Sequence, residues 1–156
     1  MSHGDRLDDH HASLAFWMRC SILRLDDGST SVFPHIIKDR AKPGLWAVNA
    51  AGQRFVSEAG SYREFVQGML RDGQQGPAYL ICDRGFIRDY GIGLAHPGTH
   101  RLSPFIKVRH LIRGDDLQTL ARAAGVDAAE LEASIWTITA SPRPALTTPS
   151  AVATTC

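Results

Sequence analysis

Cysteine is scarce. Cys20, Cys82 and Cys156 are the three in 156 residues, and they lie far apart. That spacing argues against a disulfide framework, and no C-x-x-C pair offers the usual start of a metal site. A surplus of basic charge is also missing: 17 Lys and Arg stand against 16 Asp and Glu, for a net charge of +1. The basic residues do not gather in one segment, so no field suited to phosphates forms, and nucleic acid is not an expected partner. No apolar run approaches the roughly 18 residues of a membrane span. The opening MSHGDRLDDHHASL has no apolar core of the signal-peptide kind, and a cytoplasmic protein is expected. No internal repeat is visible. His3, His10 and His11 beside Asp8 and Asp9 have the composition of a metal site, but residues 1–13 read as a flexible, solvated tail. No metal ligand is assigned.

What is present is the makeup of one soluble globular domain, with 44% hydrophobic and 21% charged residues. Ser21 to Leu25 and Ser31 to Phe33 are strand-like, and Asp26-Asp27-Gly28-Ser29 between them is turn chemistry, which gives a hairpin. Lys38 to Gly44 reads as a polar loop. Leu45 to Val48 suits a buried strand, Asn49 to Gly52 a turn, and Gln53 to Val56 a returning strand.

Ser61-Tyr62-Arg63-Glu64 matches the S-x-x-E capping box, in which the Ser hydroxyl and the Glu carboxylate each satisfy a backbone N–H at a helix start. Tyr62 then takes the first helical position. Phe65, Val66, Met69 and Leu70 follow on one face, and Gly73 ends the helix. Ala78 to Cys82 is a short buried strand. A helix capped by Asp83 runs to about Gly91, Leu94 to Pro104 is loop, and His110 to Arg113 is a brief strand. Asp115 or Asp116 caps a helix to Ala124 that Gly125 stops, and Asp127 begins another that reaches about Trp136. From Trp136 onward the chain is rich in Thr, Ser, Pro and Ala, with Arg143 its one charge and neither period, so residues 136–156 read as disordered. The class is α+β: a small mixed or antiparallel sheet with hairpins, packed by three or four helices, with a disordered C-terminal tail.

The stretch PGLWAVNAAGQRFVSEAGSY, followed by AYLICD, resembles the cap, or substrate-side, domain of FAD-dependent oxidoreductases of the fumarate reductase and 3-ketosteroid dehydrogenase type. The pattern V-N-x-x-G-x-R-F-x-x-E falls on Val48, Asn49, Gly52, Arg54, Phe55 and Glu58, while Ser57 replaces the usual Asn. Residues 14–135 are expected to form this cap-like domain. The resemblance implies FAD in the parent family, a small carbonyl substrate, and a catalytic residue a few positions after Glu58. In the dehydrogenase branch that residue is a tyrosine acting as general base, which falls on Tyr62. In the reductase branch it is an arginine acid, and a one-residue shift would give that role to Arg63. Arg54 and Glu58 read as a structural ion pair, Tyr79 and Tyr90 as packing residues, and Asp83 as a cap.

The resemblance also exposes a gap. Such enzymes hold FAD on a strand–turn–helix with G-x-G-x-x-G, and that motif does not occur here. No cofactor-binding residue is assigned, and this chain alone is not expected to bind FAD tightly. The expected partner is a separate FAD-binding domain or chain. Without it the truncated enzyme is expected to be inactive; the alternative is a non-catalytic remnant or interaction module with no turnover. Read one base out of register, codons permitted for the tail can encode Q-T-G-V-D, a family-like continuation, so residues 136–156 are expected to be out of frame. The face that would meet the FAD domain, around Trp17, Phe33 and the Tyr62 end of the helix, is expected to be sticky.

Overall fold

The computed structural model describes residues 20–25, 27–71, 77–139 and 151–155. Strands and helices alternate along them: β1 Cys20–Arg24, β2 Thr30–Pro34, α1 Ile37–Arg40, β3 Leu45–Val48, α2 Tyr62–Leu70 and β4 Tyr79–Asp83. The second half holds α3 Arg84–Tyr90, α4 Ser103–Lys107, β5 Ile112–Gly114, α5 Leu117–Ala124, α6 Ala128–Thr139 and β6 Ala151–Thr155. The class is α+β, and every strand pairing among the described residues is antiparallel.

The β1–β2 hairpin closes where Leu25 N–H donates to Ser29 O at 2.8 Å, with Gly28 at φ +82° in the turn. The main sheet has the order β3-β4-β6-β5. Side chains alternate along each strand, so one face carries Leu45, Ala47, Leu80, Cys82 and Val152. These pack on Phe65 and Met69 of α2 and on Phe86 and Ile87 of α3. The other face carries Val48, Tyr79, Ile81, Ala151 and Ala153, packed on Leu120 and Ala121 of α5 and Leu131 and Ile135 of α6. A sheet covered on both faces needs apolar residues at every position. That is why LWAV and AYLIC read as unbroken runs.

Helix starts follow their caps. Ser61 Oγ accepts from Glu64 N–H at 3.2 Å, and Glu64 Oε2 accepts from Ser61 N–H at 2.7 Å, so the expected capping box forms. Those bonds hold the Glu64 carboxyl below its ordinary pKa. Asp83, Asp116 and Asp127 accept from Phe86, Thr119 and Glu130 N–H.

Several expectations need correction. Lys38 to Gly44 is not all loop, because Ile37–Arg40 forms the single helical turn α1. Ser103–Lys107 forms α4 with Pro104 in its first turn, where the missing N–H is harmless. With these two the described helices number six rather than three or four. Among the described residues Gln53 to Val56 pairs only through a bridge of Arg54 with Val48. Beyond it the chain turns to α6: Arg54 N–H donates to Ser134 Oγ at 3.2 Å, and a Cβ at Gly52 would lie 2.7 Å from Asp127 O.

The largest correction concerns residues 136–156. Helix α6 continues to Thr139, and residues 151–155 form β6, buried between β4 and β5. A run of small and β-branched residues has neither period when both of its faces are covered, so composition mistook a central strand for a polar tail. Residues 1–13, Trp17, Gly73 and Cys156 lie outside the described residues. The exposed apolar residues include Ile22 and Val32 on the hairpin, whereas Phe33 and Tyr62 are half-buried. Among the described residues no helix is long and apolar enough to cross a membrane.

Candidate active site

Tyr62 opens α2, and its position comes from the capping box that fixes the helix start. Its hydroxyl oxygen accepts the backbone N–H of Ile37, the first residue of α1, at 3.2 Å. The donor on the phenol therefore comes from a second helix rather than from the start of α2. Arg40, at the other end of α1, lays its guanidinium 5.4 Å from the Tyr62 ring centre and 4.4 Å from that of Phe65. Arg40 is only 1% exposed. It donates to Glu58 O at 3.1 Å and Gly60 O at 3.5 Å, the backbone that leads into the capping box.

Glu58 anchors that backbone from the other side. Its carboxylate accepts from Arg54 at 2.6 and 3.0 Å and from Ala47 N–H of β3 at 2.8 Å. The Arg54–Glu58 pair is thus structural, as its spacing suggested, and Glu58 raises the pKa of Arg54. Arg63, one residue on, is exposed and takes part in none of these contacts. Tyr79 donates to Ala124 O at 2.9 Å, and Tyr90 stacks edge-on to Phe86. Both serve packing.

A second group was not read from the sequence. His35, Ser21, Thr154 and His110 form a buried polar chain. Thr154 Oγ1 donates its one proton to His110 O at 3.0 Å, so across the 3.2 Å contact it must accept from Ser21. Ser21 has then spent its proton, and its contact with His35 Nε2 has the imidazole as donor. A serine that accepts from its histidine cannot be activated by it as a nucleophile. The chain straps the hairpin to β6 instead. Burial first, then His110 and Arg40, lower the His35 pKa to about 4. Burial lowers that of His110 too, against a backbone bond with Ile22. His110 Nε2 accepts from Leu94 N–H at 3.3 Å.

A cavity of about 210 Å³ lies beside this chain, with His35, Asp39, Arg40, Phe86, Tyr90 and the 91–97 loop among its walls. Arg40 belongs both to this cavity and to the cluster around Tyr62; Tyr62 itself does not line it.

The described residues offer FAD no evident cradle. A pyrophosphate sits where a strand of a parallel βαβ unit passes into a helix N-terminus. The direct strand-to-helix passage here, β4 into α3, belongs to an antiparallel sheet and already has the Asp83 carboxylate on the Phe86 amide. Among the described residues no group of three His, Cys, Asp or Glu is placed to hold a metal ion. His3, Asp8, Asp9, His10 and His11 are outside them.

Comparison with known proteins bears on all of this. The FAD binding domain family matches residues 1–153. The 4-oxocyclohex-2-ene-1-carboxylate 5-dehydrogenase of Sinomonas cyclohexanicum is 34% identical over 138 residues, which make up 86% of this chain and 23% of that protein. A 3-ketosteroid delta1-dehydrogenase from Sterolibacterium denitrificans, solved with 1,4-androstadiene-3,17-dione, superposes with a TM-score of 0.70 at 25% identity. That match covers 89% of this chain and 31% of the other. The solution structure of a fumarate reductase flavoprotein subunit from Lactobacillus plantarum shares the fold, with a TM-score of 0.53 at 17% identity, over 76% of this chain and 86% of that one. The chain thus spans 23% of the length of the Sinomonas relative.

Proposed function

The chain belongs to the FAD binding domain family, an oxidoreductase family, and on that premise we propose that it is the substrate-side domain of an FAD-dependent dehydrogenase acting beside a carbonyl. The relatives' names supply the class of substrate: a ring ketone in each dehydrogenase. The observation that carries the reading is the hydroxyl of Tyr62, which receives the Ile37 amide at 3.2 Å; its resemblance to the family's tyrosine position supports it.

Dehydrogenation next to a carbonyl removes a proton from one carbon and a hydride from its neighbour. This chain's part is the proton. The C–H bond beside the carbonyl breaks, its electron pair moves toward the carbonyl, and the proton passes to the Tyr62 oxygen. An oxygen that holds negative charge before this transfer needs a donor aimed at it, and Ile37 N–H is that donor. The exposure of Arg63 favours Tyr62 over Arg63 as the acting residue. The hydride acceptor of the family is FAD. On this reading residues 1–156 do not hold it tightly by themselves, and turnover needs a domain that does.

The test is to mix the chain with an FAD-holding polypeptide made from the rest of the Sinomonas dehydrogenase, add a ring ketone, and follow flavin bleaching. Bleaching that requires both components supports the reading. A complex that forms, retains flavin and never bleaches with any ring ketone contradicts it.

A further inference from the structure

Tyr62 is gripped by both ends of one helical turn. The first amide of α1 reaches its oxygen, and the last side chain of α1 covers its ring. We propose that Arg40 is a positioning residue: it fixes the rotamer of Tyr62 and so aims the phenol. This deepens the reading of Tyr62 as the base and rests on it.

Burying a guanidinium is costly unless its donors are met and its charge is answered. Arg40 donates to two backbone carbonyls, Glu58 O and Gly60 O, on the segment just before Tyr62. The faces of Tyr62 and Phe65 answer its charge, since an aromatic face is the negative part of the ring quadrupole. Phe65 itself is in the core, so the guanidinium is seated on a fixed surface. Tyr62 is half-buried at the edge of that surface, and the guanidinium over its ring narrows the rotamers the ring can take. The planar fork of arginine suits this task because it bonds at its edge while it stacks on its face. Lysine, a point charge without a planar face, can bond a carbonyl or sit over a ring but cannot stack while it bonds.

The proposal is tested on the chain itself by NMR, with tyrosines labelled and Tyr62 assigned by its loss in Tyr62→Phe. The side-chain couplings of Tyr62 are compared in wild type, Arg40→Lys and Arg40→Met, with Tyr79 as internal reference. Expected are one rotamer in wild type, averaging in Arg40→Met, partial retention in Arg40→Lys, and an unchanged Tyr79. A folded Arg40→Met chain whose Tyr62 keeps the wild-type couplings overturns the proposal. If neither Arg40 variant folds, Tyr62→Leu is read at the Arg40 side-chain N–H resonance. A clear shift on loss of the ring supports the contact, and an unmoved resonance overturns it. These readouts need no turnover, so their failure is distinct from a failure of Tyr62 as base.

Discussion

The Tyr62 hydroxyl accepts the Ile37 backbone N–H at 3.2 Å, which ties the start of α2 to the start of α1. One neutral hydrogen bond at a half-buried site contributes on the order of 1 kcal/mol. Tyr62→Phe in the isolated chain should therefore lower stability by about that much, with the ring still packed under Arg40. Urea midpoints measure it. A loss of several kcal/mol would mean that the hydroxyl holds up more of the fold than this bond.

Strand β6 is central, and Val152 in it is fully buried. Val152→Asp would place a charge without a partner between two packed faces, at a cost of several kcal/mol. The cooperative thermal transition should disappear or fall sharply. Thr155→Lys, at the exposed end of the same strand, should leave it almost unchanged. Equal, small effects in both would show that residues 151–155 are not inserted in the sheet.

Much of this could be read from the residues, because helix starts and turns are local. Ser61 with Glu64, Asp83, Asp116 and Asp127 announced their helices through side chains that satisfy nearby amides. Helix α1 could not be read that way. It is one turn long, and its N-cap Ile36 offers no side-chain acceptor. Strand β6 takes its character from β4 and β5 on either side, and both are distant in sequence. Arg40 was hidden for the same reason: an arginine in KDRAKPG looks solvated until Phe65 and Tyr62 come to cover it. Tyr62 was legible as a position and by family likeness, but the source of its hydrogen bond was not.

Acid should weaken the fold in a defined window. The pKa of His35 falls from 6.5 to about 4 on folding, chiefly through burial. Between those values the unfolded chain binds the proton and the folded chain does not, so stability rises with pH there. The contribution is complete above about pH 6.5 and is lost as pH falls through 4, to an extent of about 3 kcal/mol. His110, also lowered by burial, acts in the same direction. Urea midpoints between pH 7.5 and 3.5 should show this slope. His35→Gln should start lower at neutral pH and fall less steeply, and an unchanged slope would count against His35 as its source.

Ile22 and Val32 face each other across the hairpin and are 58% and 55% exposed. Paired apolar side chains on an open two-stranded ribbon favour self-association. Replacing both with Thr keeps β propensity and should reduce association, as read by light scattering, with a melting temperature within a few degrees of wild type. Scattering that does not change would place the sticky surface elsewhere.

The most direct test of the account is the single-turnover rate of flavin reduction in an assembly of this chain with an FAD-holding chain. Tyr62→Phe should lower that rate by about 10²–10⁴, the usual cost of losing a general base, with flavin content and substrate affinity close to wild type. Arg63→Ala should stay within a few fold of wild type. Full activity in Tyr62→Phe together with loss of activity in Arg63→Ala would contradict the tyrosine assignment and transfer the proton chemistry to the arginine.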